Sequence, residues 1–445
     1  MQQVMNFTKG KILFPLIQFA FPILGALFLQ TMYGAVDMMI VGQFSDASHV
    51  SAVSTGSWIM HLITSFIVGI AMGTTVLLGR KIGEGKSKEA GEIIGASIGL
   101  FVIIGIALTI GMELFAEVFV KMMQTPYEAF DSTVLYVRIC SAGSLFIIAY
   151  NVIGSIFRGI GNSRLPLLSV LIACLFNIIG DYILVGYFEL GASGAAIATV
   201  VAQILSVVLS LIIIRKQQFP FEFHKSYITF RFRKMYKIFK LGFPIAFQDL
   251  LVSISFLTIQ AIVNTLGVIP SAGVGIAEKL CGFIMLVPSA FNQTMATYVS
   301  QNVGANQLKR AEKGYVYSIF CSLIVGMLMF YASYFHGNIM SSLFSNDIYV
   351  IEASSQYLKS YAIDCLLVSV LFCSIGYFNG RGKTFFVMIQ GIIGAFLVRI
   401  PVSFFMSQLK PVSLFMVGLA TPCSSFVQIL LCLMYYFIVR KQDNV

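Results

Sequence analysis

The sequence predicts an all-α integral membrane protein of twelve transmembrane helices in two six-helix lobes, and three observations carry that prediction. The first is composition: with 58% hydrophobic residues, 11% charged and a mean hydropathy of +0.88, a water-soluble chain of this size would lack polar surface. The second is a series of about twelve apolar stretches of spanning length, centred near residues 27, 65, 101, 146, 175, 203, 252, 286, 323, 366, 394 and 427, six to a half. The third is internal repetition. A shift of 221 residues carries Ile82-Gly83 onto Val303-Gly304, Tyr136-Val137-Arg138 onto Tyr357-Leu358-Lys359, and Phe157, Gly159 and Gly161 onto Phe378, Gly380 and Gly382.

The spans read as helices because the polar/apolar alternation of a membrane barrel is absent, and a helix closes its own backbone hydrogen bonds in lipid. Lys9 and Lys11 precede the first apolar run, which continues past signal-peptide length without a small-residue cleavage site. It is therefore read as a permanent span. Pro22 lies within it and Pro244 within its repeat; each removes a backbone donor and favours a fixed bend or a hinge. Gly69 and Gly73, Gly79 and Gly83, and Gly91, Gly95 and Gly99 recur at four-residue spacing in and after the second span, which suits close helix packing.

Twenty-three of the 29 basic residues fall at helix ends on one side, against Lys121 and Lys410 on the other. That asymmetry predicts cytoplasmic termini and an even number of spans in the cytoplasmic (inner) cell membrane. Six spans per lobe then give parallel repeats about an axis along the membrane normal, an arrangement found in secondary transporters. The expected boundaries are an N-terminal lobe over 1–215, a basic cytoplasmic linker over 216–237 and a C-terminal lobe over 238–445. Basic charge spread among short loops is topogenic and argues against nucleic acid as a partner. The eight cysteines all fall in expected spans with no CxxC pair, and read as small packing residues.

An acid inside a spanning helix is costly and marks function by default. Five qualify: Asp37, Asp181, Asp249, Glu278 and Asp364. Gln30, Tyr33 and Asp37 form a polar stripe at helical spacing on the first span, Asn177 and Asp181 are four apart on the fifth, and Thr199 and Gln203 are four apart on the sixth. The topology puts Asp37, Asn177, Asp181 and Thr199 in the outer half of the first lobe, where they are expected to converge on one cation-sized pocket. Two carboxylates so placed would exchange a proton near neutral pH, and the same oxygens would also ligate Na⁺. The alternative is that the two acids lie near enough to the interface to be solvated or capped.

The repeat sharpens the point, since Thr258, Val398 and Val402 stand where Asp37, Asn177 and Asp181 would recur. The scaffold was duplicated and the acid cluster was not, so the cluster is no folding requirement of the module. Asp364 stands opposite Gly143 as a lone acid of the second lobe, a second coupling group or a satisfied buried carboxyl. Gln260, Asn264, Asn292 and Gln293 could line a cavity there or bond helices together. Asp249 reads as solvated near the end of its span. No phosphate loop, HExxH or complete dinucleotide fingerprint occurs, so neither an enzyme nor an organic cofactor is expected, and the energy for transport would come from an ion gradient.

Tyr33-Gly34-Ala35-Val36-Asp37, the Phe157-Arg158-Gly159-Ile160-Gly161-Asn162-Ser163-Arg164 loop, Asn177-Ile178-Ile179-Gly180-Asp181, Gly191 to Thr199 and Val299-Ser300-Gln301-Asn302-Val303-Gly304-Ala305 resemble the multidrug and toxic compound extrusion (MATE) family. The resemblance covers nearly the whole chain. It implies export of hydrophobic organic cations or drugs by alternating access in exchange for inward H⁺ or Na⁺, with no cofactor beyond that ion, by a transporter acting as a monomer. It implies that Asp37, Asn177, Asp181 and Thr199 form the coupling cluster of the prokaryotic branch with an acidic first lobe, that Pro22 is its hinge, and that Asn151 matches a family asparagine. The carboxylates that another branch carries in the second lobe would fall near Ser253 and Val368, which are not acids. A lipid-linked oligosaccharide flippase of the related superfamily is the alternative, disfavoured because intramembrane Arg and Lys are few.

Overall fold

A computed structural model describes residues 4–215, 221, 223–228 and 230–443. Among these residues there are helices and turns and no strand. The helices are α1 (Leu13–Phe44), α2 (Ala47–Gly83), α3 (Ser87–Met122), α4 (Tyr127–Ala142), α5 (Ser144–Ile160), α6 (Arg164–Asp181), α7 (Gly191–Arg215), α8 (Phe232–Asn264), α9 (Val268–Ile284), α10 (Leu286–Gly304), α11 (Leu308–Ser342), α12 (Ile348–Gly380), α13 (Thr384–Ile392), α14 (Ile400–Gln408), α15 (Leu414–Gly418) and α16 (Ala420–Asp443). Among the described residues eleven apolar segments are long enough to cross a membrane, and α4 with α5, bent by 55° at their junction, make a twelfth when taken as one span. This is the multi-pass architecture expected from hydropathy. Part of the expected linker, residues 216–220, 222 and 229, lies outside the described residues, and its last part is already helical, because α8 begins at Phe232.

The duplication is visible element by element. α9, α11 and α12 begin 221 residues after α2, α3 and α4. The two copies differ where the sequence gives a reason. α2 runs unbroken, whereas its repeat is divided into α9 and α10 at Met285; Pro288 has no N–H to give to Ile284, the last residue of α9, and its ring crowds that carbonyl. Conversely α12 is continuous where α4 and α5 break at Gly143. In the second copy that position is occupied by Asp364.

Two helices pass through π segments, Tyr182–Tyr187 after α6 and Ile393–Arg399 after α13. Each abuts a buried ionisable residue, Asp181 just before the first and Arg399 at the end of the second. Such insertions rotate the helix face and collect at functional sites.

The chain falls into two compact units. One comprises the segment ending at Gly10 with Ile17–Ala246 and Ser300–Asn306; the other comprises Lys11–Leu16, Phe247–Val299 and Gln307–Val445. In the first unit, Ile70, Leu78, Ile94, Phe101, Ile148 and Phe157 belong to one buried cluster, and Val41, Val53, Val120, Val137 and Val185 to another. In the second, Ile259, Val274, Leu280, Tyr357, Leu358 and Val417 pack together. Lipid supplies no hydrophobic drive between helices, so the fit of small residues carries the packing: an added Cβ on Gly273 would meet the backbone of Ser354 at 2.9 Å, and one on Gly380 the carbonyl of Ala296 at 2.8 Å.

The first unit also captures the end of α10. Gly83 abuts the Gln301 carbonyl and Gly304 the Arg80 carbonyl, a reciprocal crossing, since each pair is the 221-residue repeat of the other. Gln301 donates from Nε2 to the Gly159 carbonyl (3.1 Å), Asn302 from Nδ2 to the Phe7 carbonyl (3.4 Å), and Met5 from its backbone N–H to the Gly161 carbonyl (3.0 Å).

Candidate functional site: a buried acidic nest in the first unit

Asp37, Asn177, Asp181 and Thr199 come together from α1, α6 and α7. Their exposures are 5%, 1%, 0% and 8%. Asp37 interacts through its side chain with Asp181, Asn177 and Thr199, and Asn177 donates from Nδ2 to Thr199 Oγ1 at 3.4 Å. Two things produce this convergence. Gly180 lets α6 approach α7 so closely that an added Cβ would sit 2.9 Å from that of Ala198, the same approach that lets Asn177 of α6 reach Thr199 of α7. The second is a shared apolar lid. Val41, Val185 and Ala195 lie one helical turn from Asp37, Asp181 and Thr199 respectively, belong to one cluster, and are fully buried. Each polar group is thus held on the inward face of its helix by the apolar residue four positions away.

The chemistry of the nest is defined by acceptors without donors. Oδ1 of Asp37, Oδ1 of Asn177 and both carboxyl oxygens of Asp181 are buried without a hydrogen-bond partner. Two carboxylates facing each other are both acceptors, and the contact becomes a hydrogen bond only when one carries a proton. Among the described residues neither acid forms an ion pair with a lysine or arginine. Buried negative charge without a basic partner is costly. A proton, or a hard cation accepting these oxygens, relieves it.

The remaining candidates divide. Tyr33 lies one turn before Asp37 on α1, within electrostatic reach of Asp37, Asp181 and Tyr150. Gln30 reaches Tyr150 Oη from Nε2 at 3.5 Å, extending the stripe along the same face. Gln203 is 8% exposed with its Oε1 unpartnered. Asn151 instead spends its amide on its own helix, donating to the Ile147 carbonyl at 2.8 Å. In the second unit Gln260 donates to Asn264 Oδ1 (2.9 Å), which also accepts from Ser271 Oγ (2.7 Å); these residues stitch α8 to α9. Asn292 Oδ1 is buried and unpartnered, its neighbour Gln293 is half-buried, and Asp249 is exposed. Asp364 is fully buried. Pro22 lies inside an unbroken α1. The sequence did not single out Gly180 or the lid, although the apolar residues four positions from each polar one were there to be read.

Comparison with known proteins agrees with this architecture. The chain is 24% identical over 436 residues to the probable multidrug resistance protein YoeA of Bacillus subtilis, covering 96% of this chain and 94% of that one. It is 25% identical over 421 residues to the multidrug export protein MepA of Staphylococcus aureus, covering 92% and 90%. Among solved structures it superposes on the outward-facing conformation of a multidrug resistance MATE family transporter of the MOP superfamily with a TM-score of 0.93 at 17% identity, covering 100% of this chain and 99% of that one. A crystal structure of MATE in the bent conformation matches with a TM-score of 0.90 at 19% identity, covering 99% and 98%. The MatE family model matches twice, over residues 22–183 and again over 244–405, one match to each copy of the duplicated module, and the chain belongs to that family.

Proposed function

We propose that this chain is a secondary antiporter that exports hydrophobic organic cations or drugs across the membrane in exchange for inward H⁺ or Na⁺. The observation that carries the reading is the nest itself: two buried carboxylates, an amide oxygen and a hydroxyl, with unpartnered acceptors and, among the described residues, no ion pair to either acid. Relatives named for multidrug resistance and export support the substrate class. Tyr33 and Gln30, on the Asp37 face of α1, offer a cation an aromatic and polar approach to the same acids.

Binding of the small ion cancels the charge of the Asp37–Asp181 pair. That removes the electrostatic reason for an organic cation to stay, so the two cargoes compete for one negative site and are exchanged. Pro22 gives no N–H to the helix, so α1 can bend there at little cost and carry Asp37 with it between accessible states. A driving force of about 180 mV supplies roughly 4 kcal/mol per inward charge, about a thousandfold gradient, enough for one ion per cycle. The protein in this reading works as a monomer in the cytoplasmic membrane with both termini inside.

The test is accumulation of ethidium in inverted vesicles, where export runs from the bath into the lumen, under separately imposed pH and sodium gradients, in the parent and in Asp37→Asn and Asp181→Asn. Loss of gradient-driven export in both variants is expected. Full activity in both would remove the nest from the mechanism, and the gradient that drives the parent identifies the ion.

A further inference from the structure

The basic segment that leads into α8 is organised beyond what membrane topology requires. Between Arg231 and Lys240 the chain carries five basic residues, and no acid occurs from 223 to 248. One of the five is spent inside the first unit, where Lys234 forms an ion pair with Glu92 of α3. Around that pair the start of α8 is fixed in place. Gly242 abuts the Ile70 carbonyl of α2, Gly73 abuts the Ile238 carbonyl of α8, and Gly95 of α3 abuts the carbonyl of Tyr227 just ahead of the helix. Met235 and Ile238 are buried in the same cluster as Ile70 and Ala246.

Fixing one face of a helix fixes the others. At about 100° per residue, Phe232, Tyr236, Phe239 and Phe243 fall on one file, and Arg233, Lys237 and Lys240 on a second, opposite the packed residues. Phe232 and Tyr236 are 77% and 52% exposed, and their rings stack with centres 6.1 Å apart. Phe239 and Phe243 stack in the same way at 5.1 Å. Arg231, Arg233, Lys237 and Lys240 are all exposed, and among the described residues none of the four forms an ion pair.

Topogenesis counts charges and is indifferent to the face that carries them, so it does not account for this sorting. Aromatic rings at the end of a spanning helix sit at headgroup level, and the stems of Lys and Arg run along apolar surface while their charged ends reach outward. Unpaired cations held at that level attract anionic headgroups. A zwitterionic headgroup presents an ammonium along with its phosphate, and most of the attraction cancels. We propose that the start of α8 is a docking surface for an anionic phospholipid of the surrounding bilayer, with the phosphate diester held by Arg233, Lys237 and Lys240 and the glycerol end lying along the Phe232–Tyr236 pair. The surface makes no use of the acidic nest and does not depend on the ion exchange proposed above.

The experiment is native mass spectrometry of the purified full-length protein, titrated with phosphatidylglycerol or with phosphatidylethanolamine of the same acyl chains. The parent is expected to bind phosphatidylglycerol roughly tenfold or more tightly than phosphatidylethanolamine. Arg233→Gln/Lys237→Gln/Lys240→Gln is expected to bring the two lipids level, and Lys309→Gln/Lys313→Gln, an exposed basic pair at the start of α11, to leave the preference intact. Should the triple variant fail to insert, Lys237→Gln alone keeps four of the five basic residues and should weaken phosphatidylglycerol about fivefold. Equal binding of the two lipids by the parent overturns the proposal, as does a preference that survives in the α8 variants or falls equally in the α11 control. Displacement of the lipid by inorganic phosphate would mark a bare anion site and overturns it too.

Discussion

Adding a methyl group at Gly83 or Gly304 perturbs the crossing of α2 and the end of α10 in a calculable way. At each position the new Cβ is directed into a backbone carbonyl, Gln301 in one case and Arg80 in the other, and backbone cannot turn aside as a long side chain can. Restoring an ordinary carbon–oxygen contact of about 3.4 Å moves the helices apart by on the order of 1 Å. Overpacking of that kind costs about 1–3 kcal/mol, against a gain of roughly 0.5–1 kcal/mol from replacing a helical glycine. A net loss of about 0.5–2 kcal/mol is expected for each single variant. Because the contacts are reciprocal, one separation relieves both. The Gly83→Ala/Gly304→Ala double variant should therefore cost clearly less than the sum of the singles, a coupling of the sort expected for sites sharing one contact. Gly111→Ala on α3, where nothing lies within 4 Å of the new Cβ, serves as the control and should be neutral or slightly stabilising. Unfolding in detergent, followed by the fluorescence of the single tryptophan, Trp58, measures all four. Equal effects at Gly83, Gly304 and Gly111, or strict additivity in the double variant, would refute the packing argument.

Two further outcomes follow from local chemistry. At the α2–α3 turn Glu84 accepts from Lys81 (2.7 Å) and Lys86 (3.1 Å); burial works to push its carboxyl up, but these two hydrogen bonds outweigh it and hold the carboxyl below the usual glutamate range. A depressed carboxyl contributes stability above its unfolded value and loses it as pH falls through the folded one. Glu84→Gln should then lower unfolding stability by about 0.2–1 kcal/mol at neutral pH, with the difference vanishing below about pH 4, and should leave the pH profile of export between about 6 and 8 unchanged, as vesicle assays would show. Asn162 Oδ1 accepts from the backbone N–H groups of Arg164 and Leu165, both at 3.1 Å, satisfying two orphan donors at the start of α6. Asn162→Ala should cost about 0.5–2 kcal/mol by the same unfolding measurement, with Asn162→Asp recovering most of it.

The sequence by itself determined what depends on local composition and counting. Apolar length gave the twelve spans, the 221-residue shift gave the duplicated module, and the cost of charge in lipid picked out the handful of acids worth following. The missing donor of Pro288 is a covalent property of that residue, yet the prolines singled out from the sequence were Pro22 and Pro244, and the break between α9 and α10 came from the structure. Which polar residues meet was a different matter, since a helical stripe fixes a face and not what the face touches. Asn151 and Gln260 could be placed on a helix face from the sequence, whereas their partners, the Ile147 carbonyl and Asn264 Oδ1, were legible only in the structure. Arg399 could be counted in a span but not assigned, because the π segment that aims it inward is a matter of backbone hydrogen bonding. Only the tertiary structure decided that Asp37, Asn177, Asp181 and Thr199 share one nest. The physical reason is that helix rotation and spacing are set by contacts such as Gly180 against Ala198 and by a common apolar lid, which join residues far apart in the chain.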